Sequence, residues 1–204
     1  MDELKLKTFV SGPLSSNCYL ILSQDRKKGC LIDSPWDSRE VVDFIKNQKV
    51  ELAFILLTHG HFDHIHGLND FECPFYIHPA DKPLLGDPQL NGSFLFGEGV
   101  ITSRKVNFYN QEQPLNFSGQ KIEVIHTPGH TPGSTCIKIV DWLFSGDTLF
   151  FDSVGRTDIP LASPEALISS LQEKVMVLPD ATIVYPGHGS STTIGRENKE
   201  NPFL

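Results

Sequence analysis

The sequence predicts an α/β fold. Three observations carry that expectation. Short apolar runs rich in branched residues recur as strands. Two segments between them show helical spacing of apolar residues. Four strand ends run directly into Gly-containing turns that carry His or Asp.

In chain order, Thr8-Phe9-Val10, residues 18–22 and Cys30-Leu31-Ile32 read as a meander, punctuated by Ser11-Gly12-Pro13 and by residues 25–29. Residues 1–7 are charged and alternating, the pattern of a first strand and not of a signal peptide. Asp37-Ser38-Arg39-Glu40 resembles a capping box, and Val41, Phe44, Ile45 and Gln48 give the helix behind it an apolar face. Residues 53–58 are too short for a helix and read as a buried strand. Residues 73–77 form a further strand, and Pro79-Ala80-Asp81-Lys82 opens a short helix.

Residues 83–114 are irregular, with Phe94, Phe96, Phe108 and Tyr109. Such an excursion either walls a substrate pocket or tucks its aromatics into the core. Regular pattern returns with a strand at 120–125, a hairpin at 135–140 and 142–144, and a helix opened by Ser163-Pro164-Glu165. In that helix Leu167, Ile168, Leu171, Val175 and Leu178 follow helical spacing. Thr182-Ile183-Val184-Tyr185 is the last strand.

The strand at 53–58 leads into His59-Gly60-His61-Phe62-Asp63-His64, four potential ligands in six residues. Neutral imidazole and carboxylate both bind borderline divalent ions. His59 and His61 point the same way by the period of two and can share one ion, while Asp63 and His64 reach a second. The other strand-end turns supply His130, within two Pro-Gly pairs, Asp147, after Ser145-Gly146, and His188, within Pro186-Gly187-His188-Gly189. The expected division is His59, His61 and His130 on one ion and Asp63, His64 and His188 on the other, with Asp147 bridging. Paired metals point to hydrolysis. Asp33, at the end of an early strand, is either a hydrogen-bond acceptor behind these ligands or a turn former. His66 and His78 are expected to be structural or solvent-facing, and His126, four residues before His130, is a weaker ligand candidate than His130.

Composition fits one domain over residues 1–204, with 39% hydrophobic and 21% charged residues. The net charge of -8 argues against a nucleic-acid partner and favours a small-molecule substrate. Apolar runs fall far short of the roughly 20 residues that span a bilayer, so no membrane partner is expected. Cys18, Cys30, Cys73 and Cys136 form no CxxC pair, and reduced thiols in the cytoplasm account for them.

Thr58 to His64 (T-H-x-H-x-D-H), Pro128 to Ser134 (P-G-H-T-P-G-S), Ser145 to Phe150 (S-G-D-T-L-F) and Pro186 to Gly189 (P-G-H-G) together resemble the metallo-β-lactamase superfamily, and most closely short members of its hydroxyacylglutathione hydrolase (glyoxalase II) branch. The resemblance implies a four-layer αββα sandwich with metals at one edge of the sheets. It also implies two divalent ions, Zn2+ first, with iron and manganese compatible. The implied activity is hydrolysis of a small thioester or ester by a metal-bridging hydroxide, with Asp63 and Asp147 as the catalytic carboxylates. The segment Val154-Gly155-Arg156-Thr157-Asp158 departs from glyoxalase II: Arg156 stands where that family carries a substrate-binding Lys, and its Tyr is missing. The chain also stops soon after His188, so the C-terminal helical domain of glyoxalase II is not expected. Two rival readings remain, a mononuclear iron persulfide dioxygenase on the same scaffold and a metal-binding module without turnover.

Overall fold

The computed structural model describes residues 4–97, 99–110 and 114–204; the reading of the first three residues as the start of a strand lies outside them. The first sheet contains β1 (Lys5–Ser11), β2 (Ser16–Leu22), β3 (Lys28–Ile32), β4 (Glu51–Leu56), β5 (Phe75–Ile77) and β6 (Asn107–Phe108) in that spatial order. Its first three strands are antiparallel, and the pairs from β3 to β6 are parallel. The second sheet is formed by β7 (Asn116–Phe117), β8 (Gln120–His126), β9 (Thr135–Ile139) and β10 (Trp142–Gly146). A ribbon of β11 (Leu149–Phe150) and β12 (Ser153–Val154) follows, and β13 (Ile183–Pro186) and β14 (Thr192–Thr193) complete the second sheet. There β13 runs parallel to β10.

Strand alternation creates the layers. Every residue of β2 is buried. Tyr19 and Ile21 point between the sheets, where they meet Ile137, Ile139 and Phe144, while Leu20 and Leu22 face outward onto Val41. On the far side, Leu143 and Val184 pack against Leu167, Leu171 and Ile194. Three apolar interfaces separated by two sheets make a four-layer αββα sandwich, the architecture expected from the sequence.

Helix α1 (Arg39–Gln48) covers the first sheet through Val41, Val42, Phe44 and Ile45. Its start differs from the expected capping box. Ser38 occupies the N-cap but makes no side-chain cap bond; its hydroxyl donates to Asp70, and Asp37 accepts from the Arg39 amide instead. After the four-residue α2 (Phe62–Ile65), α3 (Pro164–Ser170) and α4 (Ile194–Glu200) cover the second sheet. Ser163 caps α3 by accepting from the Ala166 amide at 3.2 Å. A π-helical turn over Leu171–Val175 resets the spacing, so Leu167, Leu171 and Val175 are buried while Ile168 turns outward. No described helix is long and apolar enough to cross a membrane.

Candidate metal centre and active site

The strand ends converge at one edge of the sandwich. Asp33, in the left-handed region at φ 59° just after β3, is the first fixed point. Its Oδ1 accepts from the Thr58 amide at 2.7 Å. Its Oδ2 accepts from the Thr58 hydroxyl at 2.8 Å and lies 2.8 Å from His64 Nδ1. Because the Thr58 hydroxyl donates to Asp33, it can only accept from His59 Nδ1, 3.1 Å away. His59 Nε2 is thereby left with its lone pair facing the centre.

The other loops repeat this arrangement. His130 Nδ1 donates to the Arg156 carbonyl at 2.9 Å, and His188 Nδ1 to the Leu14 carbonyl at 3.0 Å. Four imidazoles, those of His59, His64, His130 and His188, are therefore anchored through Nδ1 and turn Nε2 inward. His61, at the N-cap of α2, turns Nδ1 inward instead, 2.8 Å from His130 Nε2.

Asp147 sits among them. Its Oδ1 lies 3.5 Å from His64 Nε2, and its Oδ2 lies 3.5 Å from His130 Nε2 and 3.4 Å from His188 Nε2. Asp63 Oδ2 is 3.3 Å from His188 Nε2 and accepts from the Ser16 hydroxyl at 2.7 Å. Gly187 makes the close approach possible: a Cβ there would stand 2.2 Å from Asp147 Oδ1 and 2.8 Å from His64 Cε1. Three sets of ligand atoms lie within 4.8 Å of one another: His59, His61 and His130; Asp63, His64 and His188; and His59, His64 and Asp147.

Burial sets the electrostatics, and its effect divides the site. It pushes His61 down to about 3, with His130 adding to the effect, and pushes His59 well below its ordinary value. Burial opposes charge on His64 too, yet Asp63, Asp33 and Asp147 outweigh it and raise that imidazole to about 9. His188 is raised against burial to about 11 by its bonds to Asp147 and Asp63. Asp63, which burial alone would raise, is held at about 2 chiefly by His64 and His188. Of the three buried side-chain atoms without a hydrogen-bond partner among the described residues, Ser34 Oγ, His59 Nε2 and Asp147 Oδ1, the last two lie at this centre. Orphaned acceptors at the centre of imidazole and carboxylate groups fit a cation.

Several supports have no counterpart in the sequence motifs. Asp81, fully buried, accepts from the Gly60 amide at 2.9 Å, the Gly133 amide at 2.6 Å and the Thr131 hydroxyl at 2.7 Å, tying the loop of His59 and His61 to that of His130. Asn17 holds the His188 turn: its amide donates to the Gly187 carbonyl at 2.7 Å, and its side chain to the carbonyls of Pro186 and Gly189, both at 2.9 Å. The remaining histidines lie apart. His66 stacks on Trp36, and His78 stacks on His126, which bonds the Pro132 carbonyl.

A cavity of about 730 Å³ opens over the centre. His61, Asp63, His130, Asp147 and His188 form its floor, and Phe62, Phe94, Leu95 and Phe96 form one wall. Of the irregular segment, then, Phe94 and Phe96 line the cavity, while the Tyr109 hydroxyl bonds the Leu57 carbonyl inside the fold. Arg156 lines the cavity, and its guanidinium makes paired bonds of 2.7 and 2.8 Å to Asp158.

Residues 11–188 match the family model described as the metallo-β-lactamase superfamily. A probable metallo-hydrolase of Bacillus subtilis, YqgX, is 35% identical over 98% of both chains. The hydroxyacylglutathione hydrolase GloC of Haemophilus influenzae is 34% identical over 92% of both. Among solved structures, the B3 metallo-β-lactamase BLEG-1 is 37% identical with a TM-score of 0.92, covering 98% of this chain and 99% of its own. TTHA1623 in a di-iron-bound form is 35% identical with a TM-score of 0.82, covering 97% and 100%. With this fold, these strand-end loops and these relatives, the chain belongs to the metallo-β-lactamase superfamily and carries the His and Asp groups with which its fold binds metal.

Proposed function

We propose that this chain is a dinuclear metallohydrolase acting on a small thioester or ester. The observation that carries this reading is the pair of orphaned acceptors, His59 Nε2 and Asp147 Oδ1, inside a ring of inward-facing nitrogens. His59, His61 and His130 would hold one ion, Asp63, His64 and His188 the other, and Asp147 would bridge them. This donor set suits zinc first and accepts iron or manganese. Bound divalent ions supply a hydroxide near neutral pH, since zinc lowers the pKa of water to about 7, and a Lewis acid for the carbonyl oxygen.

The residues of the chain do the rest. Asp63, fixed by Ser16, is placed to hold the proton of the nucleophile. Asp147 keeps the two halves of the site at a fixed separation. His59, His61 and His130 would hold the ion whose positive charge stabilises the developing oxyanion. Arg156 is the cation available to a substrate carboxylate at the rim. A thiolate leaving group, with a parent thiol pKa of about 8.5, departs without a strong acid. The relative named as a hydroxyacylglutathione hydrolase supports the thioester assignment. The thiols of Cys18, Cys30, Cys73 and Cys136, all free, support a working place in the reducing cytoplasm.

The test is steady-state kinetics on metal-replete protein against S-lactoylglutathione, a thioester without glutathione, a carboxylic ester and a β-lactam, with metal content measured on the same sample. Turnover of a thioester or ester is expected. Cleavage of the β-lactam alone, or one iron per chain with stoichiometric oxygen uptake on glutathione persulfide, would overturn the reading. Binding of metal without any turnover would leave a non-catalytic module.

A further inference from the structure

The wall of the cavity differs in chemistry from its floor. Phe62, which follows His61 directly, packs on Phe96 with ring centroids 4.8 Å apart. Phe94, Leu95 and Phe96 project from a short 3-10 turn and remain 65%, 81% and 44% exposed. Side chains of this kind at a cavity mouth are left in water at a cost that an apolar ligand would relieve.

Asn91, a polar group on the same wall, is already engaged. Asn91 is fully buried; its side-chain nitrogen donates to the carbonyls of Leu84 and Val100, and its oxygen accepts from the Ser93 amide. Arg156, the one Lys or Arg among the described residues lining the cavity, faces Asp158 in a two-bond pair. A substrate half with free carboxylates, such as a glutathionyl group, would have to share the Arg156 guanidinium with Asp158, while an apolar half would find four adjacent apolar side chains.

We infer that the wall of Phe62, Phe94, Leu95 and Phe96 selects a substrate whose non-reacting part is apolar, a medium-chain acyl or an aromatic group, over one built on a charged peptide thiol. This inference rests on the proposed hydrolase reading for the bond that is cleaved, and adds which substrates are preferred.

The experiment has a kinetic and a binding arm. In the first, kcat/KM is measured for acetyl, butyryl, hexanoyl and octanoyl thioesters of one small neutral thiol, and for acetyl thioesters of thiols of increasing alkyl length, beside S-lactoylglutathione. The two series tell whether the acyl or the thiol half lies on the wall. One series is expected to rise by up to about fourfold per methylene, the value of burying each CH2. In the Phe94→Ala/Leu95→Ala double variant, the octanoyl-to-acetyl ratio is expected to fall by at least tenfold, with metal content unchanged.

In the binding arm, calorimetry follows non-hydrolysable alkyl thioethers of the same lengths. Affinity should rise with length in the native chain and lose that dependence in the double variant. Flat rates and flat affinities across chain length would overturn the inference. So would a preference for S-lactoylglutathione whose KM rises on Arg156→Ala. Chain-length-dependent binding without any hydrolysis would uphold the wall and sink the hydrolase reading, whereas hydrolysis indifferent to length would do the reverse.

Discussion

The floor and the wall of the cavity are adjacent in space and built on opposite principles. On the floor, nearly every group that faces the centre is held from behind: His64 by Asp33, His130 by the Arg156 carbonyl, His188 by the Leu14 carbonyl and Asp63 by Ser16. On the wall, Phe94 and Leu95 stand exposed on a single short turn. Metal chemistry needs each nitrogen aimed to within tenths of an ångström, and that requires buried hydrogen bonds whose loss is costly. Apolar selection needs only surface of the right kind, which can be exchanged with little effect on folding.

Substitutions should separate the two regions. The largest effect is expected for Asp147→Ala, which removes the carboxylate shared by three imidazoles: hydrolysis should fall to background and bound metal should decrease, measured by turnover and elemental analysis. Retained turnover would remove the bridge from the account. Asp33→Ala should lower metal affinity by about 10–100-fold, the usual result of deleting the partner of a ligating imidazole. Chelator competition would measure it.

Asp81→Asn places an NH2 against at least one backbone N–H and should cost on the order of 2 kcal/mol, read as a lower thermal midpoint in the metal-free chain. The smallest effect on stability is expected for Phe94→Ala/Leu95→Ala, within about 0.5 kcal/mol. A large loss there would mean that the wall is structural and the contrast with the floor false.

Proton linkage sharpens the same contrast. In the metal-free chain His64 is held up to about 9 and His188 up to about 11, so both carry protons at neutral pH. A raised folded-state pKa contributes stability that is fully present below the ordinary histidine value and is lost as pH rises through the folded value. The metal-free midpoint should therefore fall as pH climbs from neutrality towards 11. Metal binding near pH 7 should release protons, and affinity should rise with pH over the same window. Calorimetry in buffers of different ionisation enthalpy checks the release; uptake with no proton released would contradict this electrostatic description.

What the sequence reveals follows the same division. His59, His61, Asp63, His64, His130, Asp147 and His188 stand out because each lies in a strand-end turn that contains a glycine, a signal contained within a few residues. The α/β class is legible in the strand and helix patterns, and the four-layer sandwich through the family resemblance; the division of Tyr19 and Ile21 from Leu20 and Leu22 follows from strand geometry once the layers are known. Asp81 carries no such local mark, because its three partners come from Gly60, Thr131 and Gly133, up to 52 residues away. The aromatics of the long excursion are equally compatible with pocket and core, and only tertiary contacts divide Phe94 and Phe96 from Tyr109. Arg156 attracts notice for its guanidinium, but its carbonyl does the anchoring, and a backbone atom leaves no trace in residue type. At the start of α1, Asp70 lies 32 residues from Ser38 and takes the hydroxyl that local pattern assigns to the cap.

The central claim is that this floor holds two ions and needs both. Its most direct test is a titration of chelator-treated protein with zinc, and separately with iron and manganese, following bound metal and thioester hydrolysis together. Activity is expected to saturate at two equivalents per chain. Saturation at a single equivalent, or binding of two with no hydrolysis, would contradict it.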